Sequence, residues 1–466
     1  MDGAGEDPLA ERDPREGIAS HGRAVPRGQD VEPRGGTAGR RFGWMFQDPG
    51  QRRRGPDATD ALVDWMAKDG FTRRSDNTAI PAGFTYLGQF IDHDITFDPM
   101  SKLDRPNDPR TLVNFRTPRL DLDSVYGSGP RDQPYLYDWK LTHPPGTRLL
   151  LAGEDLPRNQ QGRALTGDPR NDENVILTQL HLLFIRFHNV VVDRLVDDGK
   201  IPEDELFDEA QRIVRWHYQW MVLHEFLPMV AGERAVERAL EGREHFRWDD
   251  EPFIPFEFSL AAYRFGHSMV RSDYVMQRRA HRGTPLFPDL NGFRPLPAHL
   301  LIDWERFFEL PGADVEPQPS QLINTTIARP LWSLPETGKA LPRLTLERGR
   351  RIGLPSGQEV AEAMGERALT ADDLPLATVA REARTTLSQA TPLWFYILCE
   401  AEKEGSEGAH LGPVGGRMVA EVLVGLLEGD PTSYLSARPD WKPTELGTGG
   451  SFAMADLIAI AQRESG

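Results

Sequence analysis

Along most of the chain, apolar positions recur at helical rather than strand spacing. Leu62, Val63, Trp65 and Met66 form a stripe that predicts a helix over residues 58–68. Apolar residues then recur over 175–195, and Asp168-Pro169 ahead of them offers an N-cap and a first-turn proline. A second long helix is predicted over 209–227 with Pro228 marking its end, and a third core helix over 260–270. Further helices are predicted over 358–364, 374–387 and 418–427. Two stretches, 98–168 and 278–342, are rich in Pro, Asp and Gly and predict long loops, the first wrapping a helical core. Alternating strand patterns are nearly absent and no fixed-period repeat is visible. The expected fold is therefore mainly α, one large helical domain with long loops and little β.

Residues 1–40 lack apolar periodicity and mix both charges with Gly and Pro, which predicts a disordered tail ahead of a domain over 41–466. Order is expected to begin at Phe42-Gly43-Trp44-Met45-Phe46. A chain of 466 residues can enclose a cofactor in its core. Its formal net charge of -17 argues against a nucleic-acid partner or an anionic membrane surface, both of which would repel it. The single cysteine, Cys399, excludes an intramolecular disulfide and any site built from several thiolates; its apolar setting reads as a buried structural thiol. No basic-then-apolar leader opens the chain, and no apolar run reaches the roughly 20 residues of a membrane span. A soluble cytoplasmic protein without a membrane span is expected, with leaderless export left open.

Candidate chemistry gathers in a few places. On a helix, Gln89, Asp92 and His93 stand at i, i+3 and i+4 and share one face, while Asp94 points elsewhere. An amide, a carboxylate and an imidazole amid Phe84, Leu87, Phe90 and Ile91 are costly to bury without partners, which points to a site. Asp121 and Asp123 alternate with residues able to present carbonyl oxygens, as a calcium loop needs, although an Asp-x-Asp loop alone reads as an Asx turn. Arg170 and Glu173 alone read as an exposed ion pair, and His267 alone as a core histidine. His181, His188, His217 and His224 lie in apolar helix sequence and read as packed or capped, and Arg52-Arg53-Arg54 as a solvated loop.

Taken together, five strings change those readings. Tyr86-Leu87-Gly88-Gln89-Phe90-Ile91-Asp92-His93-Asp94-Ile95 closely resembles the distal motif of animal-type haem peroxidases, the peroxidase-cyclooxygenase superfamily. The loop over 117–128, the segment Gly167-Asp168-Pro169-Arg170-Asn171-Asp172-Glu173-Asn174, the string Ala261-Ala262-Tyr263-Arg264-Phe265-Gly266-His267-Ser268 and the segment over 344–358 follow in the family's order. The tail over 412–435 resembles bacterial members, so the likeness covers nearly everything after Phe42.

The resemblance implies a haem held through His267 on its proximal side, with His93 as general base, Arg170 stabilising negative charge as the O–O bond breaks, and Gln89 holding water or halide. It implies ester links from Asp92 and Glu173 to the haem, a propionate partner in Arg264, and a calcium held by Asp94, Thr117, Arg119 through its carbonyl, Asp121 and Asp123. Thr345 stands where the family usually has an asparagine that accepts the proximal histidine's second N–H. Asn174 stands where some members carry a methionine that forms a sulfonium link, so that link is excluded. The implied reaction reduces hydrogen peroxide and oxidises iodide, bromide, thiocyanate or small organic donors such as phenols. Two alternatives are a fatty-acid dioxygenase of the same superfamily and a non-catalytic haem-binding or interaction protein. The dioxygenase branch places a radical-forming tyrosine three residues before the proximal histidine, where this chain has Arg264, with Tyr263 one residue earlier.

Overall fold

The computed structural model describes residues 42–46, 57–69, 76–97, 112–140, 144–335 and 337–465. The predicted tail over 1–40 and the Arg52-Arg53-Arg54 cluster lie outside the described residues. Phe42 to Phe46, where order was expected to begin, pair with the stretch before the proximal motif: Gly43 N donates to Ile254 O at 3.1 Å, and Met45 N and Phe46 N donate to the carboxylate of Glu257 at 3.0 and 3.1 Å.

Helices dominate. Helix α1 (Thr59–Asp69) carries the first apolar stripe, strand β1 (Asp76–Pro81) follows, and α2 (Gly83–Ile95) holds the distal motif. Among the described residues, the loop region contains the short α3 (Asp123–Tyr126), isolated 3-10 turns and single β-bridges, in keeping with its Pro, Asp and Gly content. Helix α4 (Val175–Asp198) is the longest among the described residues; Asn174 caps it by accepting from Ile176 N at 2.8 Å, and Gly199 closes it at φ 63°. Asp168 caps a separate 3-10 turn, Pro169–Asp172, instead of α4 itself. Phe90 of α2 stacks on Phe184 of α4 at 4.7 Å, fixing the two helices face to face. By length and composition α4 passes as a membrane-crossing helix, and nearly all of its apolar window is buried within the protein.

Three expectations need correction. Helix α5 (Leu206–Met221) does not end at Pro228: a wide π-type turn, Val222–Phe226, carries the chain into α6 (Leu227–Ala231). There the proline stands in the first turn of α6, directly after the π-type turn, where its fixed φ suits a helix. Gly232, at φ 85°, ends that piece before α7 (Glu233–Glu241). The expected helix over 260–270 is three pieces: α8 (Phe256–Leu260), a 3-10 turn Ala262–Phe265, and α9 (Gly266–Met269). Ala261 breaks the run at φ -135°, ψ -69°, and side chains take over the freed carbonyls. Arg264 Nε donates to Ser259 O at 2.7 Å, Ser268 Oγ to Phe265 O at 2.8 Å, and Trp394 Nε1 to Arg264 O at 3.0 Å.

The passage over 278–342 is loop-rich as expected, with β2 (Asp273–Tyr274) pairing β3 (Thr284–Pro285) and β4 (Pro319–Gln321) pairing β1, both antiparallel. Helices α10 (Leu341–Ile352) and α11 (Gly357–Met364) follow. The third correction concerns 374–387: only α12 (Arg381–Gln389) forms there, and residues 374–380 are turns and loop. Helices α13 (Leu393–Glu404), α14 (Pro413–Gly429), α15 (Tyr434–Ala437) and α16 (Met454–Ala461) complete the domain. Cys399 is buried on α13.

Candidate active site

One face of α2 opens on a cavity of about 1220 Å³ lined by Gln89, Asp92 and His93, by Arg170 and Glu173, and by Arg264 and His267. The sequence placed these residues in three separate segments; the fold brings all of them to one chamber. Gln89 donates its side-chain amide to Glu173 Oε1. His93 is buried, its Nδ1 lies 2.9 Å from Asn171 Oδ1, and its Nε2 lies 3.7 Å from Glu173 Oε1, beyond hydrogen-bond reach. Burial, assisted by the charge of Arg170, lowers the His93 pKa to about 4, so the imidazole is neutral near pH 7.

Burial opposes ionisation of Asp92, yet the guanidinium of Arg264 at 3.4 Å, with Arg170 behind it, holds that carboxyl below its ordinary range. Thr96 Oγ1 donates to Asp92 Oδ1 at 2.9 Å. Arg170 does not form a simple surface pair. Its guanidinium bonds Asp168 at 2.8 Å and reaches the carbonyls of His93 at 3.2 Å and Thr96 at 2.5 Å, closing the last turn of α2. Phe97 lies beneath it at 4.6 Å. Asp168 is held in turn by the fully buried Arg116, whose Nη1 also reaches Asp123 Oδ1 at 3.1 Å. Against the cost of burial, the charges of Arg170 and Arg116 hold Asp168 far below the usual carboxylate range.

On the other side of α2, Asp94 meets the loop over 117–128. Carboxylate oxygens of Asp94, Asp121 and Asp123 lie within 4.8 Å of one another. Backbone N–H groups of Leu122 and Ser124 donate to Asp94 at 3.1 and 3.4 Å, and Leu122 takes φ 57° to allow it. Thr117 Oγ1 donates to Asp121 Oδ2 at 2.7 Å. Arg119 turns its side chain toward Asp430, at 4.0 Å. Burial and then the Asp121 charge push Asp94 up to about 7, and Asp123 Oδ2 is buried with no hydrogen-bond partner among the described residues. Three acidic groups compressed this way, one with an orphaned oxygen, fit a hard cation.

The proximal side departs from expectation. Thr345 does not serve His267: its hydroxyl donates to Leu341 O, one turn back on α10, at 3.0 Å. That back-bond is the usual local option for a helical threonine, whose side chain is too short to leave its own helix easily. His267 Nδ1 is buried without a partner among the described residues, and burial lowers the pKa of the imidazole to about 3. Its accessible surface faces the cavity.

Sequence reasoning gave no role to Arg348, which lines the same cavity three residues after Thr345, nor to Arg116 or Asn171. For Arg348 the signal was present, since i+3 spacing puts it on the face of Thr345. His188, His217 and His224 are capped as expected, by Tyr126 and Thr147, by Ile213 O, and by Tyr434 respectively.

A profile of the animal haem peroxidase family matches residues 101–390, more than half of the chain. The chain belongs to this family. Thyroid peroxidase of Homo sapiens is 28% identical over 366 residues, covering 69% of this chain and 38% of its own. Chorion peroxidase of Drosophila melanogaster is 27% identical over 349 residues, covering 68% and 41%. The chain thus spans about two fifths of the length of these relatives. Among solved structures, Peroxidase A from Dictyostelium discoideum superposes with a TM-score of 0.61 at 15% identity, over 91% of this chain and 90% of that one. The Oryza sativa fatty acid alpha-dioxygenase follows at 0.60 and 14%, over 89% and 78%. These likenesses establish a common, mainly α fold.

Family membership implies haem, and the residues present fit it. The neutral imidazole of His267 faces the chamber with its other nitrogen unpartnered, and the guanidinium groups of Arg264 and Arg348 line the same walls, where propionates need countercharge.

Proposed function

We propose that this domain is a peroxidase that reduces hydrogen peroxide and oxidises iodide, bromide, thiocyanate or small organic donors such as phenols. The observation that carries this reading is a neutral, buried His93 in the same chamber as His267. Haem bound through His267 would supply the electrons that reduce the O–O bond and would recover them from the donor. His93, unprotonated at working pH, accepts a proton from peroxide and returns it to the departing oxygen, which leaves as water. The fixed positive charge of Arg170 favours the negative charge that builds on that oxygen. Gln89 presents its amide over the site. Asp92 and Glu173 are the two carboxylates from which ester links would form, and Asp94, Thr117, Arg119 through its carbonyl, Asp121 and Asp123 would hold calcium beside α2.

The test is a donor panel on haem-loaded protein. Peroxide-dependent oxidation of iodide, bromide, thiocyanate or a phenol is expected. Oxygen uptake with a fatty acid and no donor oxidation would replace this reading with a dioxygenase, and a normal Soret band with neither reaction would replace it with a binding protein. Acid-acetone extraction after peroxide treatment tests the esters: full release of haem rules them out.

A further inference from the structure

Two residues with no part in that reading form a chain behind His93. Asn171 lies in the 3-10 turn Pro169–Asp172, fully buried, with Oδ1 2.9 Å from His93 Nδ1 and Nδ2 2.9 Å from His181 Nδ1. An amide is chemically directional: its oxygen only accepts and its nitrogen only donates. With the oxygen toward His93, Nδ1 of that ring must carry the proton and Nε2 keeps the lone pair. With the nitrogen toward His181, Nδ1 of that second ring must be bare.

His181 is fully buried on α4, its ring stands edge-on to Phe90 at 6.2 Å, and burial lowers its pKa to about 3, so the ring is neutral. With Asn171 Nδ2 donating to its Nδ1, the one proton of that ring sits on Nε2, which has no hydrogen-bond partner among the described residues. A core histidine kept for packing alone has no need to direct its one acceptor at an amide that bonds a second histidine. The reverse amide orientation would put a proton on His93 Nε2, where Glu173 Oε1, the nearest carboxylate oxygen, stands at 3.7 Å, too far to accept it well.

We propose that Asn171 and His181 are positioning residues that lock His93 in one tautomer, with the proton on Nδ1 and the lone pair on Nε2. His181 fixes which way the Asn171 amide faces, and Asn171 passes that choice to His93. The rate consequence rests on the proposed peroxidase reading; the tautomer itself does not.

The experiment uses haem-loaded protein with 15N-labelled histidine, in the diamagnetic ferrous carbonyl state, with His93 assigned by the signal lost in His93→Gln. Wild type is expected to show His93 protonated on Nδ1 alone. In Asn171→Leu and His181→Leu the ring is expected to show mixed tautomers and the peroxide reaction to slow about tenfold, a fraction of what general-base catalysis supplies. His181→Gln, whose side-chain oxygen can accept from Asn171, is expected to restore both signals, a recovery that a packing role would not produce. A wild-type His93 protonated on Nε2 overturns the proposal, whatever becomes of the variants. So does an unchanged Nδ1–H tautomer in folded Asn171→Leu or His181→Leu. Loss of donor oxidation in wild type with the tautomer as expected defeats the peroxidase reading and leaves this one standing.

Discussion

The two histidines of the cavity differ in how they are held. Both are neutral because burial lowers their pKa, His93 to about 4 and His267 to about 3. His93 is anchored by Asn171 and sits on a helix whose last carbonyls are tied to Arg170, while His267 is the second residue of a four-residue helix and its Nδ1 is orphaned among the described residues. A side chain that must move a proton repeatedly needs its orientation fixed by the protein. One that binds a metal can take its orientation from the bond. The orphaned nitrogen is the cost of that arrangement: an unsatisfied buried polar group destabilises by roughly 1–3 kcal/mol, which ligand binding can offset.

The largest expected effect lies on the loosely held side. His267→Ala should abolish haem binding, read as complete loss of the Soret band; retention of a full-strength band would mean that another residue carries the iron. Next comes the shared support of the distal side. Asp168→Ala leaves Arg116 as a buried charge without this partner and should lower stability by about 3–5 kcal/mol in denaturant titration. A change below about 1 kcal/mol would show that the Arg116–Asp168–Arg170 network does not brace the site.

A smaller, pH-dependent effect belongs to the acidic cluster. Asp94 has its folded pKa raised to about 7, so it takes up a proton as pH falls through that value, and a cation must then displace the proton. Calcium affinity by titration calorimetry should be level above about pH 7 and weaken roughly tenfold per unit below it. The same affinity at pH 8 and pH 6 would remove Asp94 from the ligand set. The smallest effect is at Thr345. Thr345→Ala should leave the Soret band and iron reduction potential nearly unchanged, because the hydroxyl bonds its own helix at Leu341 O and His267 Nδ1 has no partner among the described residues. Thr345→Asn, able to reach further, should lower the potential by accepting from His267. A marked shift in Thr345→Ala would restore the partnership that the sequence led one to expect.

What the sequence made legible follows from what a string can carry. The spacing of Gln89, Asp92 and His93 on one face, and the separation of Asp94 from them, depend only on helical geometry and appear in the structure as expected. The order of the five motifs carried the family. Contacts between segments were illegible where two outcomes were equally local. Thr345 could bond its own helix or reach across, and only the packing of α10 decides. Likewise His181 looks like any core histidine until α4 is laid against the Pro169–Asp172 turn. The broken stretch around Ala261 kept an unbroken apolar pattern because its kinks are supported by the side chains of Trp394, Arg264 and Ser268 rather than by proline.

The central claim, that His93 is the base that opens peroxide, is tested most directly by stopped-flow mixing of peroxide with haem-loaded wild type and His93→Ala at matched Soret absorbance. The bimolecular rate is expected to fall by about 10²–10⁴ in the variant while haem content holds. Equal rates in the two proteins would contradict it.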